Sequence, residues 1–400
     1  MNTVVIIGGG ASGMMAAITA AEDENNRIIL VERQQRVGKK LLCTGNGRCN
    51  LTNTGASPEN YHGEREDFAE LCLNSFTPQD TLDFFRRLGL VTVTEYGGRV
   101  YPLSNSANSV LDVLRFALDK PNIELRCSCR VTEIRRSGEG FRIVTESDIL
   151  DADNVIVACG GAAGAKVGGV TDGYELLKPL GHKRTALYPA LVQLKTAPDY
   201  PRALKGVRAQ CRLGLYSGKT LLKSSAGELQ FTENGVSGPA VFDVSREAAV
   251  NGKTELHLDF SGGCADGIRG ILTERREKMP DLSTDELLTG AVHNRLGKML
   301  VKYAGIGGKT AKELSDDDIS ALINACTDLV LPVSGTEGFD HAQVTAGGIK
   351  TGGVNPATLE SLIVPGLFIC GELLDVDGDC GGYNLQWAWA SGRIAGRLGK

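Results

Sequence analysis

The chain has 400 residues, of which 42% are hydrophobic and 23% charged, with a formal net charge of −5. This length suits two or three domains, and the acidic balance gives no global attraction to nucleic acid or to an anionic membrane. No apolar run reaches the ~18 residues that span a bilayer, the 51 glycines have no repeating period, and the 11 cysteines are odd in number and contain no C-x-x-C pair. Transmembrane, fibrous, disulfide-scaffold and zinc-ribbon classes are therefore excluded. A first strand starting at residue 3 leaves no room for a cleaved leader, so a cytoplasmic protein without a metal site is expected.

The first elements carry the strongest signal. Val4-Val5-Ile6-Ile7 reads as a buried strand, and Ile28-Ile29-Leu30-Val31 as a second one ending in Glu32. Between them Gly8-Gly9-Gly10-Ala11-Ser12-Gly13 forms a G-x-G-x-x-G turn that opens an Ala-rich helix. Gly8 makes the tight turn, Gly10 lets backbone approach a pyrophosphate, and Gly13 lets helix and strand pack closely. The helix start, with Ala11 and Ser12, offers free N–H groups and a positive dipole end to the phosphates. Glu32 stands where a carboxylate accepts from adenosine ribose hydroxyls, and it repels a 2′-phosphate. Arg33 beside it softens that argument. NAD and FAD both remain open on this motif alone.

Next comes Gly38-Lys39-Lys40-Leu41-Leu42-Cys43-Thr44-Gly45-Asn46-Gly47-Arg48-Cys49-Asn50. Its alternating Gly and Asn favour left-handed turns with exposed N–H groups, a surface suited to a phosphate or a ring edge. A helix is expected from Thr77-Pro78-Gln79-Asp80 to Gly89, and another from Ser109 to Leu118. Strands are expected near Ile123–Leu125, Arg130–Arg135 and Phe141–Thr145. A further buried strand, Asp153 to Cys159, ends at Gly160-Gly161, a second point of close backbone approach.

From about Leu191 short strand-like runs suggest a β-rich unit through Phe260. Ala265 to Cys326 has a helical pattern, with capping-box signals at Ser283 and Ser315, and Leu329–Val333 reads as a strand. The chain closes with a buried strand ending in Gly371-Glu372, then Gly381-Gly382-Tyr383-Asn384-Leu385, which opens a final helix. The expected architecture is α/β. A Rossmann-like nucleotide domain receives a β-rich insert, which itself carries helices.

Only one complete dinucleotide fingerprint is present, which favours one tightly held dinucleotide. FAD explains the remote pieces better than NAD. Glu372 at a strand end suits ribityl hydroxyls, and the helix opening at Gly382 aims N–H groups at the pyrimidine edge of the ring.

Six motifs, GGGASG, TGNGRCNLTN, VIVACGG, FTENGVSGPA, TAGGI and GELLDVDGDCGGYNLQWAWASG, occur in the order found in the BaiN-like (HI-0933-like) FAD-dependent oxidoreductases, and the chain resembles that family over essentially its whole length. The resemblance implies a non-covalent FAD in a Rossmann-like FAD-binding domain of glutathione-reductase type (1–190 and 335–400), with an inserted β-barrel-like domain (191–262 and 327–334) that carries a helical insertion (263–326). It places Glu32 on the adenosine ribose and the Val131 backbone beside the adenine. It also implies that Asn46, Gly47, Asn50, Glu372, Asp375, Gly382, Asn384 and Leu385 line the phosphates or the flavin. Lys40, Arg48, Cys49, Gly160, Gly161, Gly371 and Tyr383 complete the candidate cofactor set. Members are usually described as NAD(P)H-dependent, and one branch is linked to reduction of carbon–carbon double bonds in oxo-bile acids. No motif assigns this chain to that branch.

Other features carry weaker signals. Cys43 and Cys49 flank the Gly-Asn loop, but Gly45 and Gly47 work against the helix that a flavin disulfide reductase uses. Lys183 to Lys223 holds nine basic residues against Asp199 alone, a solvated strand surface or an anion site. His341 and Tyr383 are candidate proton donors, and Arg48 a candidate for a substrate carboxylate. The expectation is an oxidoreductase in which NAD(P)H reduces the flavin and hydride passes to a small organic acceptor between nucleotide domain and insert. The alternatives are an oxidase using oxygen and, in another class, a flavin-dependent RNA-modifying or RNA-binding protein. Oligomeric state and catalytic acid are not readable from the sequence.

Overall fold

The computed structural model describes residues 1–65, 67–197 and 199–400. They divide into two compact units, Met1–Tyr188 with Gln343–Lys400, and Pro189–Ala342.

The first unit is built on a five-stranded parallel sheet. β1 (Asn2–Ile7) lies between β2 (Asn26–Val31) and the strand Asn154–Val157, and Ile123–Arg126 and Leu367–Ile369 form the two edges. Val4, Val5, Ile6, Ile28 and Leu30 are fully buried. Their continuous apolar runs suit strands covered on both faces. α1 (Ala11–Ala20) connects β1 to β2, and a closing helix, Tyr383–Gly396, packs against it. An antiparallel sheet of Val131–Ser137, Gly140–Thr145 and Ile149–Ala152 completes the cofactor-type architecture.

The helix expected at Thr77 runs Pro78–Arg87, with the Thr77 side chain accepting from Asp80 N and the Asp80 carboxylate accepting from Thr77 N. These bonds from Thr77 hold the Asp80 carboxyl below its ordinary range. The next helix begins slightly early, at Ala107, because Ser106 takes the cap.

The second unit contains a closed six-stranded barrel. Its order is Leu194–Thr196, Gly235–Ser237, Thr220–Phe231, Arg208–Ser217, Thr254–Asp259 and Leu329–Thr336. Leu215, Leu229, Phe231, Leu256 and Leu258 alternate inward and fill it. Helices Ala265–Lys278, Asn294–Tyr303 and Asp316–Thr327 share one core with the barrel. Ser315 caps the last of these through Asp318, whereas Ser283 caps only the short turn Thr284–Glu286. A thirteen-residue helix, Pro239–Asn251, interrupts what reads in sequence as uninterrupted β structure. Proline at its first turn and Gly252 after its last are ordinary boundary signals, but the surrounding strands mask its short apolar pattern.

The closing helix is tied down by a buried amide. The Gln386 side-chain oxygen accepts from the hydroxyls of Thr52 (2.7 Å) and Thr81 (2.8 Å), and its nitrogen donates to Phe76 O (2.9 Å). Gln386→Leu removes three bonds while leaving their partners buried, at about 1–3 kcal/mol for each orphaned group. Urea unfolding should show a loss of at least about 2 kcal/mol with an unchanged m-value.

Candidate cofactor-binding site

The glycine turn performs three separate steric tasks. Gly8 has φ +110°, and a Cβ there would lie 2.4 Å from Ala158 O. A Cβ on Gly13 would fall 1.8 Å from Gly8 O, so only glycine allows α1 to sit this close to β1. Around Gly10 no atom lies within 4 Å of the same position. Gly10 precedes α1 without a side-chain cap, and the first turn of α1 holds no acid. The N–H groups of Ala11, Ser12 and Gly13 form the uncapped first turn, with the helix dipole behind them.

Glu32 braces this turn. Its carboxylate accepts from Gly9 N at 2.8 Å and from Gln34 N at 2.7 Å. Its carbonyl accepts from Cys129 N at 3.0 Å, which brings the start of the Val131 strand alongside. Arg33 reaches Gly168 O at 3.4 Å.

The Gly-Asn loop forms tight turns over Leu41–Gly47, broken at Thr44. Asn46 and Cys49 both take left-handed backbone, with φ 57° and 62°. The turn returns the chain so that Asn50 faces the closing helix. A Cβ on Gly382 would meet Thr52 O at 2.5 Å and Asn50 Oδ1 at 2.9 Å. Asn50 Oδ1 is buried and has no hydrogen-bond partner among the described residues.

Lys40 donates to Glu372 at 2.6 Å, and the other Glu372 oxygen accepts from Thr345 N at 2.9 Å. A Cβ on Gly161 would lie 2.9 Å from the same carboxylate, and Gly160 has φ +72°. A Cβ on Gly371 would reach Ser12 Oγ at 2.3 Å. The structure thereby gathers Ser12, Lys40, Gly161, Gly371 and Glu372, which lie far apart in sequence.

At the far end, the Asn384 side chain holds the Gly378 peptide by both polar groups, each at 2.8 Å. Asp375 is buried and accepts from Glu64 N at 3.0 Å. The closing helix starts at Tyr383 from Gly382, φ +103°, again with no side-chain cap and no acid in its first turn. Tyr383, Asn384 and Leu385 form the first turn, at the positive end of the helix dipole. The helix runs in the same direction as α1. A Cβ on Gly392 would meet Ser12 O at 2.4 Å, and one on Gly396 would meet Ala16 O at 2.6 Å. Tyr383 therefore stands about eight residues, roughly 12 Å at ~1.5 Å per residue, ahead of the start of α1.

Two sequence candidates stand apart from this assembly. Arg48 turns to Glu95 and Asn105 and lies over the Tyr101 ring at 3.9 Å. The Glu95 bond raises its already high pKa, and its donors are used within the hairpin. Cys49 is fully buried, its thiol pushed up to about 12 by burial, while Cys43 is exposed, so the two form no reactive dithiol. Two residues went unread in the sequence. Thr345, inside the TAGGI motif, orients Glu372 through its backbone. The Tyr174 hydroxyl is buried without a partner among the described residues, and burial, reinforced by the Glu372 charge, raises its pKa. No local pattern around Tyr174 signals this.

An elongated, anionic cofactor fits these features. Its pyrophosphate matches the open space at Gly10, and Asn50 Oδ1 needs a donor. The offset between the helix starts is commensurate with a ribityl chain and the near edge of a flavin ring. Together the fold and site define a Rossmann-type FAD-dependent oxidoreductase. Residues 2–398 match the family described as HI0933-like protein Rossmann domain, and the chain belongs to that family. It is 41% identical over 373 residues to a 3-dehydro-bile acid delta(4,6)-reductase of Clostridium scindens, covering 92% of this chain and 91% of that protein. It is 29% identical over 371 residues to a ribosomal RNA dihydrouridine synthase of Escherichia coli, covering 90% and 89%. A 3-ketosteroid delta1-dehydrogenase from Sterolibacterium denitrificans shares the fold, with 14% identity, a TM-score of 0.52 and 99% of both chains covered.

Gly10→Ala tests the site directly. No atom opposes the new methyl group, so apo stability should change by no more than about 0.5 kcal/mol. FAD affinity, read by fluorescence titration, should fall at least about tenfold, which is 1.4 kcal/mol.

Proposed function

We propose that this protein reduces a carbon–carbon double bond conjugated to a carbonyl group in a small organic substrate, using FAD that NAD(P)H reduces. The observation that carries the reading is the 41% identity, over nine-tenths of both chains, to a reductase named for a 3-dehydro-bile acid. A 3-oxo group conjugates with a neighbouring ring double bond, which makes the β-carbon a hydride acceptor. The site supports the same chemistry. The start of α1 holds the pyrophosphate, with Gly10, Ala11, Ser12 and Gly13 closest. Glu32, already fixed by two backbone N–H groups, accepts from the adenosine ribose beside the Val131 strand. Glu372 and Lys40 stand where the ribityl chain passes, with Asn46, Gly47 and Asn50 across from them. The positive end of the closing helix, at Tyr383, Asn384 and Leu385, favours negative charge at the pyrimidine edge. The flavin, when bound, supplies the two-electron chemistry.

A second reading has its own support. The E. coli relative is named for ribosomal RNA, and the uracil C5=C6 bond is likewise conjugated to a carbonyl. The basic stretch lends this reading less than its composition suggests. Lys195, Lys205 and Arg208 are paired with Glu337, Glu233 and Glu228, so they are not free to neutralise phosphates.

The purified protein should be yellow and release FAD on heating. Under anaerobic conditions NADH or NADPH should bleach it, and a 3-oxo-Δ4 steroid should restore the colour within seconds. Restoration by rRNA fragments and not by enones favours the second reading. Rapid restoration by oxygen alone favours an oxidase, and a colourless protein that takes up no FAD ends the proposal.

A further inference from the structure

The loop ahead of the closing helix carries an imidazole that the cofactor contacts do not use. The short strand Tyr61–His62 pairs antiparallel with Asp377–Gly378. This pairing sets His62 Nε2 2.9 Å from Asp379 Oδ1. The carboxylate is itself positioned, since Asp379 N donates to Asn60 O at 3.0 Å and Asn60 Nδ2 reaches its other oxygen at 3.4 Å. The segment is tied to the start of the helix. Tyr61 donates its hydroxyl to Tyr383 O at 3.0 Å, and Asn384 Nδ2 donates to Asp379 O at 3.3 Å.

The pair is half-buried, with side-chain exposures of 27% and 22%. The other histidine of this unit, His182, is buried on Ser361, and burial lowers its pKa. His341 belongs to the other unit and lies exposed beyond a turn at Gly338. His62 Nδ1 has no partner among the described residues, while Nε2 is committed to Asp379. A carboxylate on one ring nitrogen fixes the tautomer and aims the other. This is the arrangement of a general acid whose working proton sits on Nδ1.

We propose that His62 is the proton donor of the reductive step and that Asp379 is its positioning residue. The proposal rests on the reading above, that the acceptor is a conjugated carbonyl compound. Hydride from the reduced flavin brings two electrons and one hydrogen to the β-carbon. The π pair of the double bond shifts toward the α-carbon and carbonyl as an enolate. The imidazolium Nδ1–H bond breaks, and its proton forms the new α C–H bond. His62 is left neutral with Nε2–H on Asp379 and takes its next proton from water. The charged and titratable groups around the imidazole are Asp379 and Asp377 from the paired loop, Tyr61 on its own strand, Tyr383 on the closing helix and the Glu64–Lys350 ion pair. Because the protonated form works, reoxidation by substrate should slow as pH rises through the His62 titration.

The test uses FAD-loaded protein reduced anaerobically with dithionite and mixed with a 3-oxo-Δ4 steroid. His62→Gln should load and hold FAD as the wild type does. Its reoxidation should be slower on the order of 100-fold, with the pH dependence flattened. Asp379→Asn removes the negative charge that favours the imidazolium, so its profile should move to lower pH. A purely structural Asp379 leaves the profile in place. In parallel, NMR of labelled histidine follows the His62 titration, assigned by the Gln variant, in oxidised and reduced holoenzyme. Reduction would add negative charge to the bound flavin, so a His62 at its edge should titrate higher in the reduced than in the oxidised holoenzyme while His182 stays. Where an enone reoxidises the wild type, the rate of His62→Gln decides, and a wild-type rate overturns the proposal. Where no enone does so, the acceptor reading is lost and the NMR decides. An upward shift on reduction keeps His62 as the proton donor at the flavin, and an unmoved titration removes it.

Discussion

The site depends on one close approach between two helix backbones. Gly392 and Gly396, one turn apart, bring the closing helix against the Ser12 and Ala16 carbonyls, where any side chain would collide. This is the small-residue packing by which helices come closer than ordinary interdigitated side chains permit. It fixes the direction and register of the closing helix relative to α1, and hence where each helix start lies. The same helix then indexes the surrounding loops. Trp387 Nε1 donates to Gly371 O at 3.1 Å, Trp389 Nε1 donates to Leu51 O at 2.9 Å, and Gln386 gathers Thr52, Thr81 and Phe76. The Gly-Glu turn, the Gly-Asn loop and the glycine turn are thereby referenced to a single rigid element.

The electrostatics follow from that frame. Both helix starts lack a side-chain cap and a first-turn acid, so each presents the positive end of its dipole. The acids nearby are already engaged. Glu32 holds two backbone N–H groups, and Glu372 holds Lys40 and Thr345 N. An anionic cofactor bound as proposed would meet a helix start at either end and carboxylates held in place for hydroxyl groups. Its arrival costs little rearrangement, which is the usual source of tight binding by a preformed site.

Most of the nucleotide unit was legible in the sequence because its constraints are local. Gly8, Gly10 and Gly13 each have a steric reason that spacing alone reveals. The Thr77 cap and the αL turns of the Gly-Asn loop are properties of four or five neighbouring residues. Long-range partnerships were not legible. Nothing around Arg48 announces Glu95, since that pair depends on a hairpin folding back. Tyr174 and Thr345 acquire meaning only when Glu372 arrives from elsewhere. The helix Pro239–Asn251 was lost among strands because closure of the barrel, rather than local periodicity, decides which apolar residues face inward there. The Asp379 partner of His62 is likewise a product of strand pairing, 317 residues away in the chain.

The glycine pair that locks the two helices has a consequence for biosynthesis. The first strand and the glycine turn leave the ribosome long before the edge strand Leu367–Ile369 and the closing helix. The Pro189–Ala342 unit has its own core and all of its barrel strands before then. During translation all six barrel strands are therefore available while the parallel sheet, with four of its five strands, still lacks its Leu367–Ile369 edge. A complete cofactor site thus waits on the closing helix, and the sheet edge stays open to chaperones until that helix emerges.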